Sequence, residues 1–286
     1  MKNLKYYFDK AKKEGFAIGQ FNFSDFSQVK GIVAAAKKLN SPVILGTSEG
    51  ESKFAGLKQA VAIRNVLRKE TGLPIFLNLD HGKSFEYLKE VINAGYDMVH
   101  FDGSKLPLEE NIKISKQVKN YARKKGVLME GEVGRIGSDS SKVYTEKFEI
   151  KEEDLTKPEE AEDYIKKTKA DLLAISVGTF HGVDITGMSP HIRLERLKEI
   201  KNATNSASLV LHGGSGTPDD DIMKAIKLGV VKININTELR IAFAENLRKA
   251  INAGEIVPYK FLAEAINAVE SIAECKIRLF NSEGKV

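Results

Sequence analysis

Three of the chain's five histidines stand in the same setting. Each follows a short, β-prone stretch and precedes a glycine: His81 in Asn78-Leu79-Asp80-His81-Gly82, His181 in Gly178-Thr179-Phe180-His181-Gly182, and His212 in Leu211-His212-Gly213-Gly214. A lone histidine is most often a core or capping residue. Three at equivalent strand ends form the donor set of a catalytic zinc site, three neutral imidazoles with a fourth position left open. His100, inside the run Val99-His100-Phe101, and His191, after Pro190, do not share this setting and read as structural.

Acids gather at the same kind of place: Asp80, Asp102, Glu130 and Glu132. Asp80 directly precedes His81, so at a strand terminus it can stand beside a metal without binding it. A carboxylate so placed suits general acid/base work, because the nearby cation influences its affinity for a proton. Asp102 and Glu132 belong to the next two strand ends, where they can orient the histidines or offer another cation position. Glu130, two residues before Glu132, supports that group.

Two further loops suit an oxyanion. Gly213-Gly214-Ser215-Gly216 and Asn234-Ile235-Asn236-Thr237 each follow an apolar run. Glycines let backbone N–H groups approach a phosphate, and the helix that follows adds a favourable dipole.

The elements that must position these residues alternate regularly. Strands are expected at Phe16–Asn22, Pro42–Thr47, Ile75–Asp80, Asp97–Phe101, Val127–Glu132, Asp171–Val177, Ser208–His212 and Val230–Ile235. Helices are expected between them at Phe26–Leu39, Lys58–Lys69, Phe85–Asn93, Leu108–Lys125, Pro158–Thr168, Ile192–Thr204 and Pro218–Leu228. Asp25 or Ser24 and Ser84 are the expected caps, with Pro158 and Pro218 as first-turn prolines. Eight βα units in 286 residues predict an α/β fold, a single-domain (β/α)8 TIM barrel over residues 1–286. In such a barrel the strand ends named above converge on one face, and the loops after strands seven and eight hold phosphate. The polar stretch Gly134–Asp154, after the fifth strand, reads as a mobile loop over the barrel mouth.

Composition sets bounds on this reading. The single cysteine, Cys275, cannot form an internal bridge, and no apolar run approaches the roughly 20 residues of a membrane span. A cytoplasmic location is the expectation, with neither membrane nor nucleic acid as partner. The net charge of +5 comes from lysines spread along helical patterns such as Lys113, Lys116, Lys119, Lys124 and Lys125, which read as a solvated face.

Together these residues resemble the class II, zinc-dependent fructose-bisphosphate aldolase family, which includes the tagatose-bisphosphate aldolases. The resemblance runs through Phe21-Asn22, Ser48-Glu49-Gly50, Leu79 to Gly82, Phe101-Asp102-Gly103-Ser104, Glu130 to Gly134, Gly178 to Gly182, Leu211 to Gly216, Lys232 to Glu238 and the ending Arg278 to Lys285. It implies reversible cleavage of a ketose bisphosphate to dihydroxyacetone phosphate and an aldehyde, a step of glycolysis and gluconeogenesis. It implies Asp80 as proton donor and acceptor, and His81, His181 and His212 as ligands of catalytic Zn2+. Asp102 and Glu132 match a second divalent position, and Gly182, Gly213, Ser215, Asn234, Asn236 and Thr237 match the phosphate-binding positions. A monovalent cation, Na+ or K+, and a homodimer or homotetramer are implied as well.

Two departures stand out. Asn78 occupies a position where family members often carry histidine. The loop glutamate that abstracts the ketose C–H proton has no counterpart in Gly134-Arg135-Ile136-Gly137-Ser138-Asp139, where Asp139 lies one position early and Glu146 lies further on. A sugar-phosphate-binding relative without catalysis would suit that loss. A barrel metallohydrolase using zinc-bound hydroxide would suit the histidines, but not the paired phosphate loops. A Schiff-base mechanism would need a strand-end lysine, and only Lys232 comes near.

Overall fold

The computed structural model describes residues 2–136, 143–144, 150–180, 182–184, 191–205 and 207–286, the side chains at 143, 144, 183 and 184 aside. Eight parallel strands close into a barrel: β1 (Ile18–Asn22), β2 (Val43–Ser48), β3 (Ile75–Gly82), β4 (Met98–Phe101), β5 (Leu128–Val133), β6 (Leu172–Ile175), β7 (Ser208–Leu211) and β8 (Val230–Ile235). Each pairs with the next in sequence, and β8 returns to β1 through Ile18 opposite Lys232. A separate two-residue pair joins Val143–Tyr144 to Val183–Asp184.

Side chains two apart along a strand share a face, so each strand's inward set can be followed from bottom to mouth. The bottom layer is apolar: Ile18, Ile44, Phe76, Met98, Leu172 and Val210 pack against Leu4, Tyr7, Phe8 and Ala11. Those four lie on one side of a helix, Leu4–Glu14, that closes the barrel's N-terminal end and is capped by the Asn3 side chain. One step up, the inward residues turn polar. Gln20, Asn78, His100, Glu130 and Lys232 are all fully buried. Above them stand Asn22, Asp80, Glu132, His212 and Asn234. The outward-facing apolar residues of the strands meet the surrounding helices in a second, larger core.

The expected helices are present with small shifts at their ends, and Asp25 forms a capping box with Gln28 while Ser84 caps its helix. Pro158 is in a first turn, but Pro218 precedes the helix Asp219–Lys227. Among the described residues, four α-helices were not expected from the sequence, Leu4–Glu14, Glu49–Ala55, Thr237–Asn252 and Pro258–Leu279, nor was the short 3-10 turn Glu152–Asp154. Among the described residues no helix is long and apolar enough to cross a membrane.

Candidate active site

Between β3 and β4 the ladder slips. Leu79 pairs with Val99 and Gly82 with Phe101, so β3 carries one residue more than its partner. The extra residue is accommodated at His81, whose φ of 55° lies in the left-handed region. For a residue with a side chain that conformation costs about 1–2 kcal/mol. Its effect is geometric: a bulge breaks the strict alternation of sides, so Asp80 and His81, though adjacent, both reach the barrel mouth.

The two described histidines of the expected metal set meet there. His212 Nε2 lies 2.7 Å from Glu130 Oε1, and Lys232 donates to Glu130 Oε2 at 2.8 Å. Burial would raise the Glu130 pKa, but the Lys232 charge above all, and the hydrogen bond with His212, outweigh it and keep the carboxylate ionised. An ionised Glu130 fixes the His212 proton on Nε2 and leaves Nδ1 with a lone pair. On the other side Asp102 Oδ2 lies 3.2 Å from His81 Nδ1, so that nitrogen carries a proton and Nε2 has the lone pair. His81 Nε2 and His212 Nδ1 then face each other at 2.9 Å. Two lone pairs aimed at one point repel unless a cation or a proton stands between them. Burial lowers both imidazoles; Asp80 and Asp102 nevertheless leave His81 raised, whereas His212 stays lowered, so without a metal the shared proton rests on His81.

The surroundings fit a metal as well. Donor atoms of Asp80, His81, His100 and His212 lie within 4.8 Å of one another, and those of His81, Asp102 and Glu132 form a second such group. Glu132 Oε2 and His100 Nε2 are 3.1 Å apart but misaligned, so both are buried without a hydrogen bond. Mixed imidazole and carboxylate donors are those that a borderline cation takes.

Asp80 is held from both sides. Asn22 donates to its Oδ2 at 3.0 Å and Asn234 to its Oδ1 at 2.9 Å. Burial would raise its pKa, but the positive charge that His81 carries without a metal, and then that of Lys232, hold it well below the ordinary value. Asn22 is itself braced by Glu51 Oε2 at 3.1 Å, and Arg240 donates to Glu51 Oε1 at 2.6 Å.

A cleft of about 620 Å³ opens above these groups, a volume typical of a small-molecule site. Gly182, Gly213, Ser215, Asn234, Asn236 and Thr237 all line it. The helix starting at Thr237 has no side-chain cap, and the Asn236 Oδ1 beside it is buried without a partner. The N-terminus of this helix, where Glu238 N–H meets Ser215 Oγ at 3.4 Å, is a place for an anion. Gly213 is needed where it stands: its φ is 67°, and a Cβ there would lie 2.3 Å from the Phe180 carbonyl oxygen. Gly213→Ala is expected to cost about 1–3 kcal/mol in urea unfolding and to raise the KM for a phosphorylated substrate.

Of the residues expected from the sequence, Asp80, His81, His212, Asp102 and Glu132 come together. His181, Asp139 and Glu146 lie outside the described residues, as does most of the loop expected over the mouth, although Arg135, Ile136 and Asp154 at its two ends line the cleft. His191 is peripheral, 2.9 Å from Asp221, as its structural reading required. His100 is a correction. It is not a plain strand residue but a fully buried member of the imidazole cluster, its ring 4.7 Å from that of His81 and 4.8 Å from that of His212. The sequence reading also gave no role to Asn22 or Glu51. Period-two spacing from Asp102 back to His100, and from Asn22 back to Gln20, was the available signal.

The comparisons with known proteins agree with this geometry. The family described as class-II fructose-bisphosphate aldolase matches residues 2–285. The chain is 36% identical over 280 residues to the fructose-bisphosphate aldolase of Staphylococcus epidermidis, covering 96% of this chain and 95% of that one. It is 36% identical over 288 residues to the fructose-bisphosphate aldolase of Geobacillus stearothermophilus, covering 99% and 98%. Its fold matches the crystal structure of the YdjI aldolase from Escherichia coli K12 with a TM-score of 0.85 at 27% identity, over 100% of this chain and 99% of that one. Likeness of this extent, in sequence and in fold, makes the chain a member of the class-II fructose-bisphosphate aldolase family.

Proposed function

We propose that this aldolase reversibly cleaves fructose 1,6-bisphosphate to dihydroxyacetone phosphate and glyceraldehyde 3-phosphate, with tagatose 1,6-bisphosphate as the alternative substrate. The observation that carries the reading is the meeting of His81 Nε2, His212 Nδ1 and Asp80 beneath a cleft that Gly213, Ser215 and Thr237 also line. His81, His181 and His212 are assigned to Zn2+, and the pair Asp102 and Glu132 to a second divalent ion. When bound, zinc supplies Lewis acidity that stabilises negative charge developing on the ketose oxygens.

The chain's own residues do the rest. Asp80 takes the proton of the C4 hydroxyl as the C3–C4 bond breaks, so that carbon leaves as an aldehyde, and it returns the proton in condensation. Asn22 and Asn234 fix the two carboxylate oxygens, so the transfer needs no reorientation of Asp80. The glycine loop after β7 and the helix N-terminus at Thr237 hold the phosphate of the ketose end through Gly213, Ser215, Asn234, Asn236 and Thr237, with Gly182 beside them and a Na+ or K+ ion close by. C3, left electron-rich by cleavage, receives a proton from an acid of the loop after β5. Asp139 is assigned that role, with Glu146 as its substitute. Lys232, ion-paired with Glu130 and donating to Asn234, has a structural place instead of the role of a Schiff-base nucleophile. The family resemblance further supports one barrel domain over the whole chain, assembly as a homodimer or homotetramer, and a cytoplasmic setting.

A coupled triose-phosphate assay on both bisphosphates, before and after treatment with a chelator, tests this reading. Cleavage should stop on chelation and return with added zinc or cobalt, and the fructose isomer should be the faster substrate. Cleavage that survives complete metal removal, or no triose phosphate from either isomer, would overturn it.

A further inference from the structure

The bulge that brings His81 to the mouth leaves its backbone N–H outside the ladder between β3 and β4. A buried N–H without an acceptor is rarely tolerated. Here the acceptor is a side chain: His81 N donates to His100 Nδ1 at 3.1 Å. An imidazole nitrogen that accepts must offer its lone pair, so the His100 proton is on Nε2, the atom that faces Glu132 Oε2. Glu132 in turn lies 3.6 Å from His81 Nδ1. His100 therefore touches His81 twice, directly at the main chain and through Glu132 at the ring. We propose that His100 is a positioning residue, replacing the lost ladder partner of His81 and holding it in the left-handed conformation that turns Nε2 toward His212.

The role needs a side-chain acceptor at this one point. Asparagine can supply it, because its Oδ1 stands about as far along the chain as Nδ1 of histidine. Leucine cannot. The inference rests on His81 as a metal ligand, but the contact between His100 and His81 can be read without metal.

Two measurements on the full chain test it. In His100→Leu the affinity for zinc or cobalt, from competition with a chromophoric chelator, should fall about 10–100-fold, as for other residues that orient a ligand. His100→Asn should recover most of that loss, and its cobalt spectrum should match that of the unmodified protein. Unchanged affinity in His100→Leu would overturn the proposal. So would an asparagine variant as weak as the leucine one with an altered cobalt spectrum, which would make His100 a direct ligand. If the leucine variant does not fold, nitrogen NMR of the unsubstituted imidazoles decides, with the His100 signals identified by their loss in His100→Asn. In the metal-free protein and with zinc added, His100 should show a protonated Nε2 and an accepting Nδ1. A proton on Nδ1 in both states would overturn the proposal, whereas a protein that shows the expected tautomer but binds no metal would sink the metal assignment and leave this contact standing.

Discussion

Replacing His212 by alanine should strip the protein of stoichiometric zinc and of aldol cleavage together. The substitution removes one of the two imidazole nitrogens that face each other at 2.9 Å, and nothing else on β7 can take its place. It also takes a partner from Glu130, which keeps its ion pair with Lys232. A lost hydrogen bond to a buried charge costs about 1–3 kcal/mol, less than the stability of a domain of ordinary size, so the barrel should still form. Metal content after dialysis separates the outcomes: zinc retained at one per chain would sink the assignment. A second readout needs no substrate. Ligand binding to the native state alone stabilises by about 2.7 kcal/mol at a hundred times Kd, so added zinc should raise the melting temperature of the unmodified protein and leave His212→Ala unmoved. Glu130→Gln should lie between the two. Its uncharged amide no longer enforces the His212 tautomer, and affinity should fall about 10–100-fold.

How much of this was legible in the sequence depended on whether the signal was local. Alternating apolar runs and helical periods placed all eight strands, because each run carries its own pattern. The helix Leu4–Glu14 escaped because lysines crowd the sequence there and hide its apolar face, Leu4, Tyr7, Phe8 and Ala11, which makes sense only once there is a barrel end to close. His100 escaped for a related reason. Inside a strand a histidine reads as a fold residue, and only the closed barrel brings that inward position beside β3 and β7. Asp80 and His81 were read correctly as sharing the mouth, yet in a regular strand they would point to opposite sides. The bulge that reconciles them is a property of the pairing between β3 and β4, and nothing in β3 alone announces it.

Asp80→Asn should keep its metal and lose about 10²–10⁴-fold in kcat, the usual worth of a positioned acid or base. Size is conserved, so the cleft and the phosphate loops should be undisturbed and KM should change little. The hydrogen bonding is not conserved. Asn22 and Asn234 each present an amide N–H to one Asp80 oxygen, and an asparagine at 80 must turn its own NH2 toward one of them. Some of the loss will therefore be lost orientation, and Asn22→Ala gauges that share. Removing one hydrogen bond to a charged group is worth about 1.5–3 kcal/mol, so a much smaller drop in Asn22→Ala would assign the remainder to the missing base. Exchange of the dihydroxyacetone phosphate C–H proton with deuterated solvent then separates the two proton transfers. Asp80 serves the hydroxyl of the aldehyde half, so Asp80→Asn should still exchange this proton at close to the normal rate, whereas Asp139→Ala should slow it strongly. Exchange abolished in Asp80→Asn but normal in both Asp139→Ala and Glu146→Ala would reverse the assignment and make Asp80 the base for carbon. Loss of zinc from Asp80→Asn would instead make the aspartate a ligand, because its carboxylate already lies among the donor atoms of His81, His100 and His212.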